Sequence, residues 1–409
     1  MPRRRFVLAR GSLAAFVLAR LLGTLSIVMT AGVGAGADAR QAGPPRAPSP
    51  AELQGAIDKL GNLDYAVRTS ASKIVRRTPL EQAVPALLNA ATEHTDGYVR
   101  FRALVLLAGF NDPRATDAMR AALADPNDRL REVAYGFFEH HPDPTLSPIL
   151  LKALDREEAD FVRPRLVRAL AAHGSTPAVQ QALVREAGRG QDFFRSAVIE
   201  ALGDYRAGYA QPALTAIVEL DGPLRDDGAL AIGKIGDRQS LPVLADLQRR
   251  APRESQPAVA AAICLLGVNC GTQLGFLSET LRFAEKNPGF QELMRGTAAG
   301  LGALGVRGNI DAVNVLLEVG IPSQDPARAP IALAVATVAI RNPSFMLGFL
   351  EKYPARDGAI DVLRDGFDML EEDFEEEQFF AAVRRGYWSA RDGSPARSVA
   401  EALITRLDF

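Results

Sequence analysis

Two cysteines and four histidines are all the soft metal ligands in this chain of 409 residues. His140 and His141 follow Glu139 in "FEHH" (138–141), His94 follows Glu93, and His173 stands alone. Imidazole beside carboxylate can bind a transition metal, but a centre needs three or four such ligands brought together. Surface histidines near helix ends account for the pattern, so no metal site and no cofactor is expected. Cys264 and Cys270 lie in "AICLLGVNCG" (262–271). One reading joins them in a disulfide, with Cys264 near a helix end and Cys270 in the following turn. The other leaves one buried thiol and one turn thiol.

The acidic run "DMLEEDFEEEQFF" (368–380) holds seven acids within 368–377. It could attract a basic partner or loosely held Ca²⁺, but runs of this kind mostly face water, and no Asp-x-Asp calcium loop is present. "RRGYWSARDG" (384–393) sets the only tryptophan, Trp388, beside Tyr387 and several arginines. Such clusters anchor partners, and they also cap the last unit of an array. No glycine-rich phosphate loop follows a strand and no G-x-S-x-G elbow occurs. "GLGALG" (300–305) lies inside a helical frame. No catalytic residue is assigned; whether the chain is an enzyme stays open, with the non-enzyme reading preferred.

A formal net charge of −2 excludes the polycation that gives a dedicated nucleic-acid binder its affinity. An apolar share of 47% with 23% charged residues is globular. Arg3, Arg4 and Arg5 precede the apolar stretch 21–37, and small-x-small triplets end it near residue 39. Residues 1–39 are therefore expected to be a signal peptide, with "RRRFV" (3–7) of twin-arginine form. An uncleaved anchor in the inner membrane is the alternative. The product would be periplasmic or extracellular, touching a membrane only if that segment stays. Residues 40–52, containing "QAGPPRAPSP", read as a Pro-rich linker.

The rest of the chain is one repeated unit. The apolar residue before an arginine recurs as Val67, Val99, Leu130, Val162, Phe194 and Leu224. Four positions on stand Ala71, Ala103, Ala134, Leu166, Val198 and Gly228, and eight positions on Val75, Leu107, Phe138, Leu170, Leu202 and Ile232. This is the stripe of an amphipathic helix with a period near 32 residues. The frame persists through Val259, Met294, Ala327, Ala359 and Ala396, giving eleven copies. A second helical stripe lies between, as in Val84, Leu87, Leu88 and Ala91. Thr78-Pro79, Asp112-Pro113, Asp143-Pro144 and Thr176-Pro177 are read as its start signals. One helix pair cannot cover its own stripe, but a stack of pairs can.

Asp64, Asp96, Asp128 and Asp160 precede Arg68, Arg100, Arg131 and Arg163 by three or four positions, and Arg195 and Arg225 extend the arginine column. A ladder is expected, with Asp capping the second helix of each pair and Arg bridging to the next copy. An anion-gripping strip is the other reading.

"DDGALAIGKIGDRQSLPVLADL" (226–247) and "ALGDYRAGYAQPALTAI" (201–217) resemble the HEAT repeat, in particular the HEAT-like type also found in phycobilisome lyases. The resemblance implies an all-α, right-handed α-α superhelix over 53–409, a solenoid of about eleven helix pairs. It also implies that the second helices line a concave face. Phe101, Tyr135, Arg165 and Arg168, with Tyr387 and Trp388, are then candidate partner contacts; gap-filling between copies is the alternative for Phe101 and Tyr135. One HEAT-like family, deoxyhypusine hydroxylase, holds iron with His-Glu dipeptides. This chain has only the reverse order, at Glu93-His94 and Glu139-His140. The expected function is an exported scaffold that recognises a protein partner on its concave face. The alternatives are a lyase or chaperone-like enzyme and a membrane-tethered assembly factor.

Overall fold

The computed structural model describes residues 48–370 and 373–409; the signal-peptide expectation lies outside them. Ala47–Phe409 is a single compact unit. Its first helix begins at Pro50, three residues inside the stretch read as linker. Eleven helix pairs follow, in the frame the sequence sets. They open with α1 (Pro50–Lys59) and α2 (Tyr65–Arg77), α3 (Leu80–Glu93) and α4 (Gly97–Gly109), then α5 (Ala115–Ala122) and α6 (Asp128–His140). Next come α7 (Ser147–Leu154) and α8 (Arg163–Ala172), α9 (Pro177–Ala187) and α10 (Asp192–Asp204), α11 (Gln211–Ile217) and α12 (Pro223–Ile235). The middle pairs are α13 (Leu241–Arg250) with α14 (Gln256–Leu265), α15 (Cys270–Lys286) with α16 (Gln291–Val306), and α17 (Ile310–Gly320) with α18 (Arg328–Arg341). The array ends with α19 (Pro343–Leu350) and α20 (Arg356–Leu370), α21 (Asp373–Ser389) and α22 (Pro395–Arg406). No strand occurs among the described residues.

Local signals explain most of the starts. Ser49 and Glu52 close a reciprocal capping box on α1. Asp64 Oδ1 accepts from Ala66 N at 2.8 Å, and Asp96 Oδ1 from Tyr98 N at 2.8 Å, satisfying amides with no helical partner. Thr176 caps α9 ahead of Pro177. Three expected starts turn out otherwise. Thr78 donates backward to Ile74 O at 2.9 Å and so closes α2, leaving α3 without a side-chain cap. Asp112 folds a turn onto Arg114 N, and α5 begins only at Ala115. Asp143 caps a single 3₁₀ turn, Pro144–Leu146.

The second helices of successive pairs pack on one another from α4 through α20, forming the inner layer, while first helices such as α3 and α5 or α15 and α17 meet outside. The inner layer is tight because small residues face each other. A Cβ on Gly203 would lie 2.7 Å from the Cα of Ala231, and one on Gly233 2.6 Å from the Cα of Ala262. Glycine in α10 and α12 is thus what lets those helices approach, which curves the stack toward its inner side.

The array closes on itself. Helix α21 does not simply extend the stack; it lies against the inner helices α4, α6 and α18. Phe374 at its start joins the apolar core formed by residues between Leu53 and Leu266, while most of the last pairs belong to a second core from Ala260 onward. Gly136 of α6 and Gly109 of α4 leave room for Phe374 and Glu377. Among the described residues no single helix is long and apolar enough to cross a membrane.

Candidate functional site

The inner face carries charges that the repeat places there and that α21 completes. Glu139 (α6) accepts from Arg168 Nε (α8) at 2.8 Å and from Tyr205 OH at 2.8 Å. Arg165 Nη1, one turn before Arg168, reaches Glu375 Oε1 on α21 at 2.6 Å and Glu139 Oε2 at 3.4 Å. Arg341 (α18) lies 3.5 Å from Glu375 and 3.7 Å from Glu139. His140 Nε2 sits 3.1 Å from Glu375 Oε2, with its ring stacked near Phe374 and part of it in solvent. The network runs outward through Arg168 to Asp204 (2.9 Å) and on to Lys234 (2.8 Å). A second knot holds the same helix: Arg76 donates to Glu377 Oε2 from Nε at 2.8 Å and Nη2 at 2.6 Å, and Arg384 to Oε1 at 3.0 Å. Arg102 pairs with Asp373.

Glu375 is fully buried, at 0% exposure. Burial pushes its pKa up, but Arg165, the hydrogen bond from His140 and Arg341 outweigh it and hold the carboxyl well below the usual range. Glu139 is likewise lowered: burial opposes, while Arg168, Arg165 and Arg341 prevail. Asp204 is held down against burial by Lys234 and Arg168. Burial lowers His140, but the hydrogen bond to Glu375 and its charge win and raise it. The donor atoms of Glu139, His140 and Glu375 lie within 4.8 Å of one another, a spacing a metal ion could use. Three guanidiniums already lie on those two carboxylates, so a divalent ion would enter beside cations that balance the charge. The cluster is an ion-pair network.

Several sequence candidates need relocating. Phe101 and Tyr135, read as contact residues, are 2% and 1% exposed; they fill the space between inner helices, the gap-filling alternative. Arg165 and Arg168 are buried in the network and offer nothing to a partner. The acidic run does not face water throughout: Glu375 and Glu377 are buried, because arginines from α2, α8 and α18 await them. Trp388 is 75% exposed, and Arg397 stacks on Tyr387 at 3.3 Å. Cys264 and Cys270 are joined in a disulfide between the end of α14 and the start of α15. His173 is buried rather than superficial; Asp143 N donates to its Nε2 at 3.0 Å, so its Nδ1 carries the proton given to Ala169 O at 2.7 Å.

The Asp–Arg series works differently from a ladder between copies. Asp64 and Asp96 cap, but Asn127 replaces Asp128 as the cap of α6, and α8 starts without a bond from Asp160. Arg68 donates to Asn62 O (2.7 Å) and Leu63 O, Arg100 to His94 O (3.1 Å), and Arg195 to Ala187 O (3.1 Å). The column ties the turn of its own copy, and Arg225 pairs with Asp221 in the same way. Bridges to the next copy are Arg131 to Glu157 at 2.7 Å and the longer Arg163 to Glu186 at 3.9 Å.

Beside the start of α21, the inner face carries an open stretch. A cleft of about 520 Å³ lies between α10, α12, α16, α18 and the end of α20. It is lined by the apolar Leu230, Ala299, Ala303 and Ala334 and by the charged Asp204, Asp227, Lys234, Arg295 and Arg341. Leu333 and Met369 stand in it at 41% and 42% exposure. Sequence reasoning missed this lining because alanine at an inner-helix position reads as core.

The HEAT-repeat family ("HEAT repeats") matches residues 53–136. No curated protein sequence matches the chain. Among solved structures, YibA of E. coli is similar at 17% identity and TM-score 0.40, over 53% of this chain and 81% of its own. CpcE and CpcF of phycocyanin lyase from Nostoc sp. PCC7120 are similar at 20% identity and TM-score 0.34, over 54% and 88%. Human deoxyhypusine hydroxylase is similar at 18% identity and TM-score 0.27, over 54% and 86%. Likenesses at this level carry no functional argument.

Proposed function

The chain is an α-solenoid carrying HEAT repeats, and from that premise we propose that it is an exported scaffold binding a protein partner in the open part of its inner face. The observation that carries the reading is the cleft. It sets apolar lining residues beside charges of both signs, and two large apolar side chains stand unburied in it. Apolar contact area beside polar and charged groups is the anatomy of a protein interface. Arginines of α2 and of the inner helices α4 and α8 already hold one acidic, aromatic helix, α21, in the adjoining stretch. Placement in the periplasm rests on the basic-then-apolar start of the sequence.

Leu333→Glu tests the reading. The residue is on the surface of the cleft, so the circular dichroism and melting curve should be unchanged, while the partner captured from the envelope fraction by the natural chain should be lost. Equal capture by both chains would defeat the proposal. N-terminal sequencing of protein from its host tests export, with a start near Arg40 expected.

A further inference from the structure

Arg206 breaks a local rule that its sister turns obey. After α14 and α16 the chain turns with the same hydrogen bond as after α10: Val268 N to Ile263 O (3.3 Å), Asn309 N to Leu304 O (3.1 Å) and Ala207 N to Leu202 O (2.9 Å). This closure needs a residue with positive φ just past the helix. Gly267 (+73°) and Gly308 (+85°) supply it; after α12, Gly236 takes the same sign of φ (+85°) but closes with its own N to Ile232 O at 3.3 Å. After α10 the position is Arg206, at +51°. A β-carbon is disfavoured there, and arginine lacks the short polar side chain that lets Asn111 take the same conformation at +50°. Strain retained at one copy of a repeat points to what the side chain does.

Arg206 lines a recess of about 480 Å³ together with Lys234 of α12 and Arg307, which follows α16. No carboxylate lines it; the walls are Gly236, Gly308, Asn309 and the bonded cysteines. Lys234 Nζ is taken by Asp204. Arg307 spends one nitrogen on Lys234 O. The Arg206 side chain makes no hydrogen bond or ion pair among the described residues. Burial and the charge of Arg206 lower the pKa of Arg307 and outweigh the opposing pull of Asp204, whose carboxylate is already held by Lys234 and Arg168, so the two cations act on each other. Like charges held together on a polar recess are stabilised by an anion between them.

We propose that the recess between Arg206 and Arg307 binds a phosphate-class oxyanion, either free or carried on a lipid headgroup. Two planar guanidiniums can each present a pair of N–H groups to its oxygens. The site does not depend on a partner in the inner cleft.

The test uses the turn itself. Arg206→Gly installs the residue the sister turns use, so it should melt higher than the natural chain in chloride. Isothermal titration with inorganic phosphate at matched ionic strength should show binding to the natural chain. Both Arg206→Gly and Arg307→Gln should weaken it about tenfold or more. Phosphatidylcholine vesicles containing phosphatidic acid form the second arm: binding there without a response to inorganic phosphate identifies a headgroup, and the reverse identifies a free ion. No response in either arm, or responses that the two variants leave unchanged, would overturn the proposal.

Discussion

Glu375→Gln measures how α21 is held. The substitution keeps shape and removes one charge from a fully buried site bonded to Arg165 and His140 and close to Arg341. Three cations would then share Glu139. Breaking one partner of a buried pair typically costs about 3–5 kcal/mol, because the remaining charge is uncompensated. If the described chain melts as one body, an unfolding entropy of about 2.1 cal/mol/K per residue converts this to a fall of roughly 4–7 °C in Tm. If α21 detaches alone, hydrogen exchange in 373–389 should accelerate by about a hundredfold or more while α12–α16 stay protected. The pH dependence separates electrostatics from packing. Glu375 is depressed, so its contribution is present above about pH 4.3 and lost as pH falls through its lowered pKa. His140 is raised, so its contribution is full below about pH 6.5 and lost as pH rises through its folded value. The natural chain should therefore hold α21 most firmly between about pH 4.5 and 6.5. Glu375→Gln removes what raises His140 and should flatten the loss on the alkaline side. Less than tenfold acceleration in α21, or an unaltered pH slope, would refute the assignment of this network as its anchor.

Three further outcomes follow from local geometry. Gly233→Ala should cost about 1–3 kcal/mol in urea unfolding despite the better helix propensity of alanine, since the new methyl meets the backbone of Ala262. Asp226 is pushed up to about 6 by burial, and its Oδ1 has no hydrogen-bond partner, so Asp226→Asn should add about 1–2 kcal/mol at pH 7 and nothing at pH 4. Alkylation of unfolded protein should modify Cys264 and Cys270 only after reduction; replacing both with alanine should cost about 2 kcal/mol, the chain-entropy value for so short a loop.

The repeat was legible because a stripe at Val67, Ala71 and Val75 has one economical burial, and eleven copies of it are found as eleven pairs. The inner charges were only half legible. Arg165 and Arg168 were visible as off-stripe cations, and "EEE" at 375–377 as acids, but their meeting spans 210 residues and no local period encodes it. Phe101 and Tyr135 were left between partner contact and gap-filling for a related reason, and burial decides for gap-filling. Position relative to the stripe tells which way a side chain leaves its own helix, while the neighbouring inner helix decides whether that direction is solvent. Thr78 shows the limit at the shortest range, since one hydroxyl can close the helix before it as well as open the next.

A solenoid in which each unit touches only its neighbours behaves as a one-dimensional chain of couplings, able to fray from either end. Here Arg76–Glu377 joins residues 301 apart and Lys73–Asp408 residues 335 apart, so the first and last pairs depend on each other. Fraying at the C-terminus would expose the arginines of α2, α8 and α18 together, and fraying at the N-terminus would strand the acids of α21. Each end therefore penalises loss of the other, and the stack gains the cooperativity of a closed body. The same closure fixes the cleft. Arg341 belongs both to the network around Glu375 and to the cleft lining, so the helix that fills one half of the inner face also sets the wall of the half left open. Under the proposed function, a partner docking in that half would meet a preformed surface and need not order it, which would lower the entropic cost of binding.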